Sequence, residues 1–166
     1  LEPGAGYQMQ LTKTLTPERI RVPMEATEKF AAIAELVAVL DSTGGLTDRH
    51  AALEAVRKRE AERTTGIGYG LAIPHAKSDG CNSLVVAAGK PAKPIDFQSV
   101  DGRPVSFIVL LVSPPDQTGP HIQALAQISR LMEMEDFRAA VERAKAAQEL
   151  YEAIAFYEAT SEPAKR

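Results

Sequence analysis

"VSFIVLLV", residues 105 to 112, is apolar at seven of its eight positions. A strand open to water on one face alternates apolar with polar residues. A run without alternation is a central strand covered on both faces. This stretch therefore demands helical layers on either side. "SLVVAAGK" (83–90) supplies a second strand, "LAI" (71–73) a short third that Pro74 stops, and "ERIRVPM" (18–24) an extended start. Helical periods surround them. In "TEKFAAIAELVAVL" (27–40), Phe30, Ile33, Val37 and Leu40 recur at three- and four-residue steps, with Thr27 as N-cap and Gly44-Gly45 as terminator. A second helix starts at Thr47, its inner stripe running Leu53, Val56 and then Glu60, with Arg59 on the flank. Two charges at the end of an apolar stripe are unusual. In "HIQALAQISRLM" (121–132), Ile122, Leu125, Ile128 and Met132 are expected inward, with Gly119 as N-cap and Pro120 in the first turn. "DFRAAVERA" (136–144) and "AQELYEAIAFYE" (147–158) complete the helices. The expected fold is α/β, a mixed β-sheet sandwiched between helices on both faces.

The 166 residues suffice for one domain with a sizeable core. A net charge of −3 presents no basic surface for nucleic acid. No apolar run approaches the roughly 20 residues of a membrane span. A single cysteine, Cys81, excludes an internal disulfide framework and fits a reducing, cytoplasmic compartment. It adjoins a strand and reads as packed. Residues 1–10 are expected to form a flexible extension and 159–166 a flexible tail.

"TTGIGYGLAIPHAKSDG" (64–80) carries the chemistry. Gly66, Gly68 and Gly70 open backbone conformations closed to other residues, and Pro74 fixes the approach to His75. The G-x-G-x-G spacing after a helix is not a dinucleotide fingerprint. An arbitrary loop histidine is most often a local hydrogen-bonding group; this loop instead holds His75 rigidly with an accessible face. His121, in the first turn of its helix, sits where amides and the helix dipole attract an anion. Both histidines adjoin apolar strands, so they can converge at one sheet edge. Arg59 and Glu60 read equally as a solvated surface pair or as a phosphate-neutralising arginine held by its neighbour. Thr64 and Thr65 either donate hydroxyls to the site or close the turn. For a metal site, His75 and His121 have only Asp79 as a weak third ligand. His50 reads as solvated.

These residues resemble a family. "RE(x)4TGIGYGLAIPH", Arg59 to His75, is similar to the signature of the type 2 enzyme IIA domains of the bacterial phosphoenolpyruvate-dependent phosphotransferase system. That family holds the mannitol/fructose-type domains and the nitrogen-regulatory proteins. "PIDFQSVDGRPVSFIVLLVSPP" followed by "HIQALAQISRLM" resembles its second half, and the likeness spans about residues 11 to 158. Tyr69 lies where the family varies, and "AKSDG" follows His75 where a glycine-containing turn is common. The resemblance implies a mannitol-type enzyme IIA-like fold. It makes His75 the phosphoryl acceptor, His121 a phosphoryl stabiliser and Arg59 the neutralising charge, with Glu60, Thr64 and Thr65 in support. It implies no cofactor and no metal. The donor would be HPr or a nitrogen-type HPr relative, and the acceptor an enzyme IIB cysteine or a regulatory target. Without an attached IIB or membrane IIC domain, a regulatory module is the second expectation. Apolar Ile67, Leu71, Ile73 and Ile122 are expected to frame a docking face.

Overall fold

Residues 105–112 become β6 (Phe107–Ser113), buried at every position. Successive side chains leave opposite faces of a strand. Accordingly, Ile108, Leu110 and Val112 enter one core, while Phe107, Val109 and Leu111 enter the other. Both faces are dry, which is why the run shows no alternation. The computed structural model describes residues 9–160. The expected extension and tail lie, except for residues 9–10 and 159–160, outside the described residues.

Five further strands join β6: β1 (Ile20–Met24), β2 (Gly66–Gly68), β3 (Leu71–Ala72), β4 (His75–Lys77) and β5 (Val85–Pro91). Their order is β1-β5-β6-β3-β2, with β4 also paired to β6. β1 runs parallel to β5, β5 antiparallel to β6, and β3 and β4 parallel to β6. The sheet is mixed, as expected.

Helices α1 (Lys29–Ser42) and α2 (Arg49–Glu62) cover one face. Helices α3 (Thr118–Met132), α4 (Glu135–Arg143) and α5 (Ala147–Thr160) cover the other. The expected cap of α1 is displaced by one residue. Glu28, not Thr27, caps α1, accepting from Phe30 N and Ala31 N at 3.1 and 2.7 Å. Asp48 caps α2 through Ala51 N at 3.0 Å. The N-cap of α3 is Gln117, without a side-chain bond, rather than Gly119.

The inner face of α3 differs more from expectation. Ile122 is 58% exposed, and the buried stripe is His121, Ala124, Gln127, Ile128, Leu131 and Met132. Two polar residues therefore occupy core-facing positions, because each finds a buried partner there. Gln127 donates to Glu158 at 3.2 Å. Glu158 also accepts from the backbone N–H groups of Leu11 and Thr12, so it joins the start of the fold to its last helix. Apolar periodicity places Ile128 and Met132 correctly but turns Ile122 the wrong way and misses the two buried polar residues.

Candidate functional site

β3 and β4 follow one uninterrupted register on β6: Leu71 faces Phe107, Ala72 faces Ile108 and His75 faces Leu111. The gap between them is Pro74, which has no N–H to give, although its carbonyl accepts from Leu111 N at 3.0 Å. His75 thus belongs to a strand, not to a loop as the sequence suggested. Leu71 and Ile73 point into the core shared with α3. His75 has the same parity and leans toward that side.

The glycine segment is the hairpin that starts this strand. Tyr69 takes φ +58° and Gly70 +73°, both left-handed. Gly66 is needed for space: a Cβ there would sit 2.1 Å from Ser99 Oγ and 3.0 Å from Ser99 Cα. Of the expected docking face, Ile67 is 45% exposed and Ile122 58%, whereas Leu71 and Ile73 are buried.

The two histidine rings meet with centroids 5.4 Å apart, edge toward face. They line a depression of about 510 Å³ together with Lys58 and Arg59 from α2 and Lys77 from β4. Among the described residues, Glu62 is the only carboxylate that lines it. Three fixed cations against one carboxylate make this a place for an anion. A larger concavity, about 890 Å³, lies around Arg19 and the Gly44-Gly45 turn, and neither His75 nor His121 lines it.

Hydrogen bonds set the state of each ring. A carbonyl can only accept, so His75 Nδ1 carries a proton and donates it to Ile73 O at 2.6 Å. In the neutral ring, Nε2 then bears a free lone pair. Burial pushes the His75 pKa below its ordinary value. The hydrogen bond to Ile73 opposes this shift, Arg59 reinforces it and Glu60 opposes it. His121 Nδ1 shares a 2.6 Å hydrogen bond with Ser113 Oγ, which is fully buried. Burial first, then the neighbouring His75 and Lys77, bring the His121 pKa down to about 4. Both rings are therefore neutral near pH 7.

Of the other expected site residues, Arg59 borders the depression and its Nη1 donates to Arg63 O at 2.8 Å. Glu60 does not hold Arg59. Its carboxylate is buried and accepts from Thr65 N at 2.9 Å, Thr65 Oγ1 at 2.6 Å and Lys29 Nζ at 3.4 Å. Thr64 Oγ1 donates to Phe97 O. The two threonine hydroxyls are thus committed to protein partners, and Glu60, Thr64 and Thr65 stand behind the hairpin. None of the three borders the depression.

Among the described residues no group of three or more His, Cys, Asp or Glu is arranged to hold a metal ion, so Asp79 does not complete a set with the histidines. His50 is exposed and Cys81 is buried and free. Burial, then Asp79, pushes the Cys81 thiol up to about 11, which keeps it protonated and unreactive.

Sequence reasoning missed Lys58, Lys77 and Ser113. Lys77 lies two residues after His75, the period of a strand face, but "HAK" reads as a loop after Pro74. Ser113 is the first polar residue after the apolar run, and nothing local ties it to His121. No described helix is long and apolar enough to cross a membrane.

Residues 13–157 match the family described as phosphoenolpyruvate-dependent sugar phosphotransferase system, EIIA 2. The PTS system fructose-specific EIIABC component of Bacillus subtilis is 37% identical over 130 residues, 78% of this chain, which spans only 20% of that protein. A nitrogen regulatory protein of Bradyrhizobium diazoefficiens is 34% identical over 153 residues, 92% of this chain and 99% of that one. Among solved structures, the nitrogen regulatory protein IIA-Ntr from Neisseria meningitidis aligns with a TM-score of 0.75 at 26% identity, covering 86% of this chain and 97% of that one. The Escherichia coli enzyme IIA mannitol, in complex with phosphorylated enzyme IIB mannitol, shares the fold with a TM-score of 0.72 at 18% identity, covering 84% and 95%. With the paired histidines set at one edge of this mixed sheet, the chain belongs to the type 2 EIIA family of the phosphoenolpyruvate-dependent sugar phosphotransferase system.

Proposed function

We propose that this chain is a cytoplasmic phosphohistidine carrier whose domain spans residues 11–158. His75 Nε2 accepts a phosphoryl group from phosphorylated HPr or a nitrogen-type HPr relative. The donor's P–N bond breaks and its electron pair returns to the donor imidazole, while a P–N bond to Nε2 forms. The proton stays on Nδ1, hydrogen-bonded to Ile73 O, throughout. In the second transfer a thiolate of an enzyme IIB domain attacks phosphorus, the bond to Nε2 breaks, and neutral His75 is restored. The carrying observation is the Nδ1–Ile73 hydrogen bond, which leaves Nε2 unprotonated beside a second neutral imidazole and Arg59.

Phosphoryl transfer is mostly positioning and charge stabilisation. Arg59 balances charge on the moving group. With the Ser113 hydroxyl as donor to His121 Nδ1, the role assigned to it in this scheme, His121 presents Nε2–H to a phosphoryl oxygen. Glu60, Thr64 and Thr65 hold the hairpin from behind. The scheme assigns no step to a metal or cofactor.

A regulatory role has its own support. Ile122, next to His121, is 58% exposed, and Ile67 in the hairpin is 45% exposed. A phosphate adds roughly −1.5 to −2 of charge, so a partner docking over these apolar side chains would distinguish the two states. The likeness to a nitrogen regulatory protein over nearly its whole length supports this use of the same site.

The test is incubation with phosphoenolpyruvate, enzyme I and HPr, followed by intact mass and mapping. One acid-labile phosphoryl group, lost in His75→Ala, is expected. Absence of label from HPr and nitrogen-type HPr alike refutes the carrier role and leaves the binding module. Unequal affinity of a regulatory target for the two states would support the switch.

A further inference from the structure

Lys29 is an odd residue for its place. It opens α1, where the helix dipole disfavours a cation, and it is only 8% exposed. Its ammonium is 3.4 Å from Glu60 Oε2, 3.4 Å from Phe97 O and 2.9 Å from Gln98 Oε1. A buried ion pair is seldom more stable than an apolar pair of the same size, so its presence calls for another reason.

The contacts beyond Lys29 supply one. Glu60 accepts from Thr65 N and Thr65 Oγ1. Thr65 O accepts from Ile73 N at 3.1 Å. Ile73 O accepts from His75 Nδ1 at 2.6 Å. An unbroken line of hydrogen bonds thus runs from the Lys29 ammonium to the His75 ring. A second branch passes through Phe97 O, which accepts from both Lys29 and Thr64 Oγ1. Lys29 therefore grips both threonines at the entrance to the glycine hairpin, one through Glu60 and the other through Phe97. Neither Lys29 nor Glu60 borders the depression.

We propose that Lys29 is a positioning residue for His75: through Glu60 and Phe97 it clamps Thr64 and Thr65, and through Thr65 and Ile73 it fixes the orientation and tautomer of the His75 ring. This rests on the carrier reading above. Without the ammonium, the Glu60 carboxylate is drawn toward water, Thr65 loosens, and the Ile73 carbonyl no longer holds one ring geometry. The donor surface is untouched, so binding of phosphorylated HPr is unaffected while the chemical step slows.

The experiment uses the full chain with Lys29→Met, Lys29→Gln and Lys29→Arg. Should Lys29→Met fail to fold by circular dichroism, Lys29→Gln, which keeps a donor without the charge, takes its place. Transfer from phosphorylated HPr is separated into kcat and KM, and the His75 ring nitrogens are followed by 15N NMR in the unphosphorylated protein. The expected result is a kcat lower by about tenfold, at a KM within about twofold. His75 should move from a single Nδ1–H form to a mixture, and Lys29→Arg should recover part of both. A native kcat and an unchanged Nδ1–H signal in a folded charge-neutral variant overturn the proposal, as does a loss confined to KM. If the native chain accepts no phosphoryl group, the carrier reading fails separately. The ring signal then decides Lys29 alone: a mixture supports the clamp, and an unchanged signal refutes it.

Discussion

His121 should make this protein acid-sensitive in a way that can be isolated. Its pKa lies near 4 in the fold, against an ordinary 6.5. Between those values the unfolded chain binds a proton at residue 121 and the folded chain does not. The unfolded state therefore holds more protons, and stability rises with pH across that window. The contribution is complete above pH 6.5 and is lost as pH falls through about 4. At about 1.4 kcal/mol per pKa unit, the whole gap is worth about 3 kcal/mol. Little solvent screening applies, since His121 is 5% exposed. The assay is urea denaturation of the native chain and of His121→Gln at about pH 7.5 and about pH 4.5. The carboxylates titrate in both proteins and largely cancel in the comparison. The native chain should lose about 2–3 kcal/mol more than the variant across the interval. Parallel losses, within about 0.5 kcal/mol, would refute the reasoning, as would an NMR titration midpoint for His121 at or above 6.5. The same depressed value keeps His121 a neutral hydrogen-bond donor at the pH where the carrier would work.

Three further outcomes follow from named contacts. Arg59 helps hold the His75 pKa down, so Arg59→Gln should raise the NMR titration midpoint of His75; a fall or no change would show that Arg59 does not face the ring. Gly66→Ala drives a Cβ onto Ser99 and should cost about 1–3 kcal/mol in urea denaturation, with part recovered by adding Ser99→Gly; full stability of the single variant would contradict the close approach. Lys90 donates to the carbonyls of Val141, Glu142 and Ala144 at 2.6, 3.1 and 2.8 Å, closing the C-terminal end of α4. Lys90→Met should cost about 1–2 kcal/mol and speed amide exchange in α4, and an unaltered exchange pattern would argue against the cap.

Much of this protein is legible without coordinates. The unbroken apolar run at 107–112 can only be a strand between two layers. The three- and four-residue periods around it can only be the helices that make those layers. Pro74 and the glycines before it single out His75, since each restricts or frees the backbone for reasons local to the residue. Arg59 and Glu60 stand out as charges ending an apolar stripe, although the sequence alone reads them equally as a solvated surface pair.

What the tertiary structure decided is which groups meet. Pro74 interrupts the hydrogen bonding of β3 and β4 without shifting their register, so His75 rides on a strand that local reading takes for a loop. Ser113 and Glu158 turn His121 and Gln127 inward, which displaces Ile122 to the surface, because a buried polar group follows its partner rather than its periodicity. Arg59 and Glu60, adjacent in sequence, leave the helix in different directions: one to the depression beside His75, the other to Lys29, thirty-one residues earlier. Backbone preference is local and can be read from neighbours in the chain. Hydrogen-bond partners, and the burial that shifts the histidine pKa values, depend on distances that only the folded chain fixes.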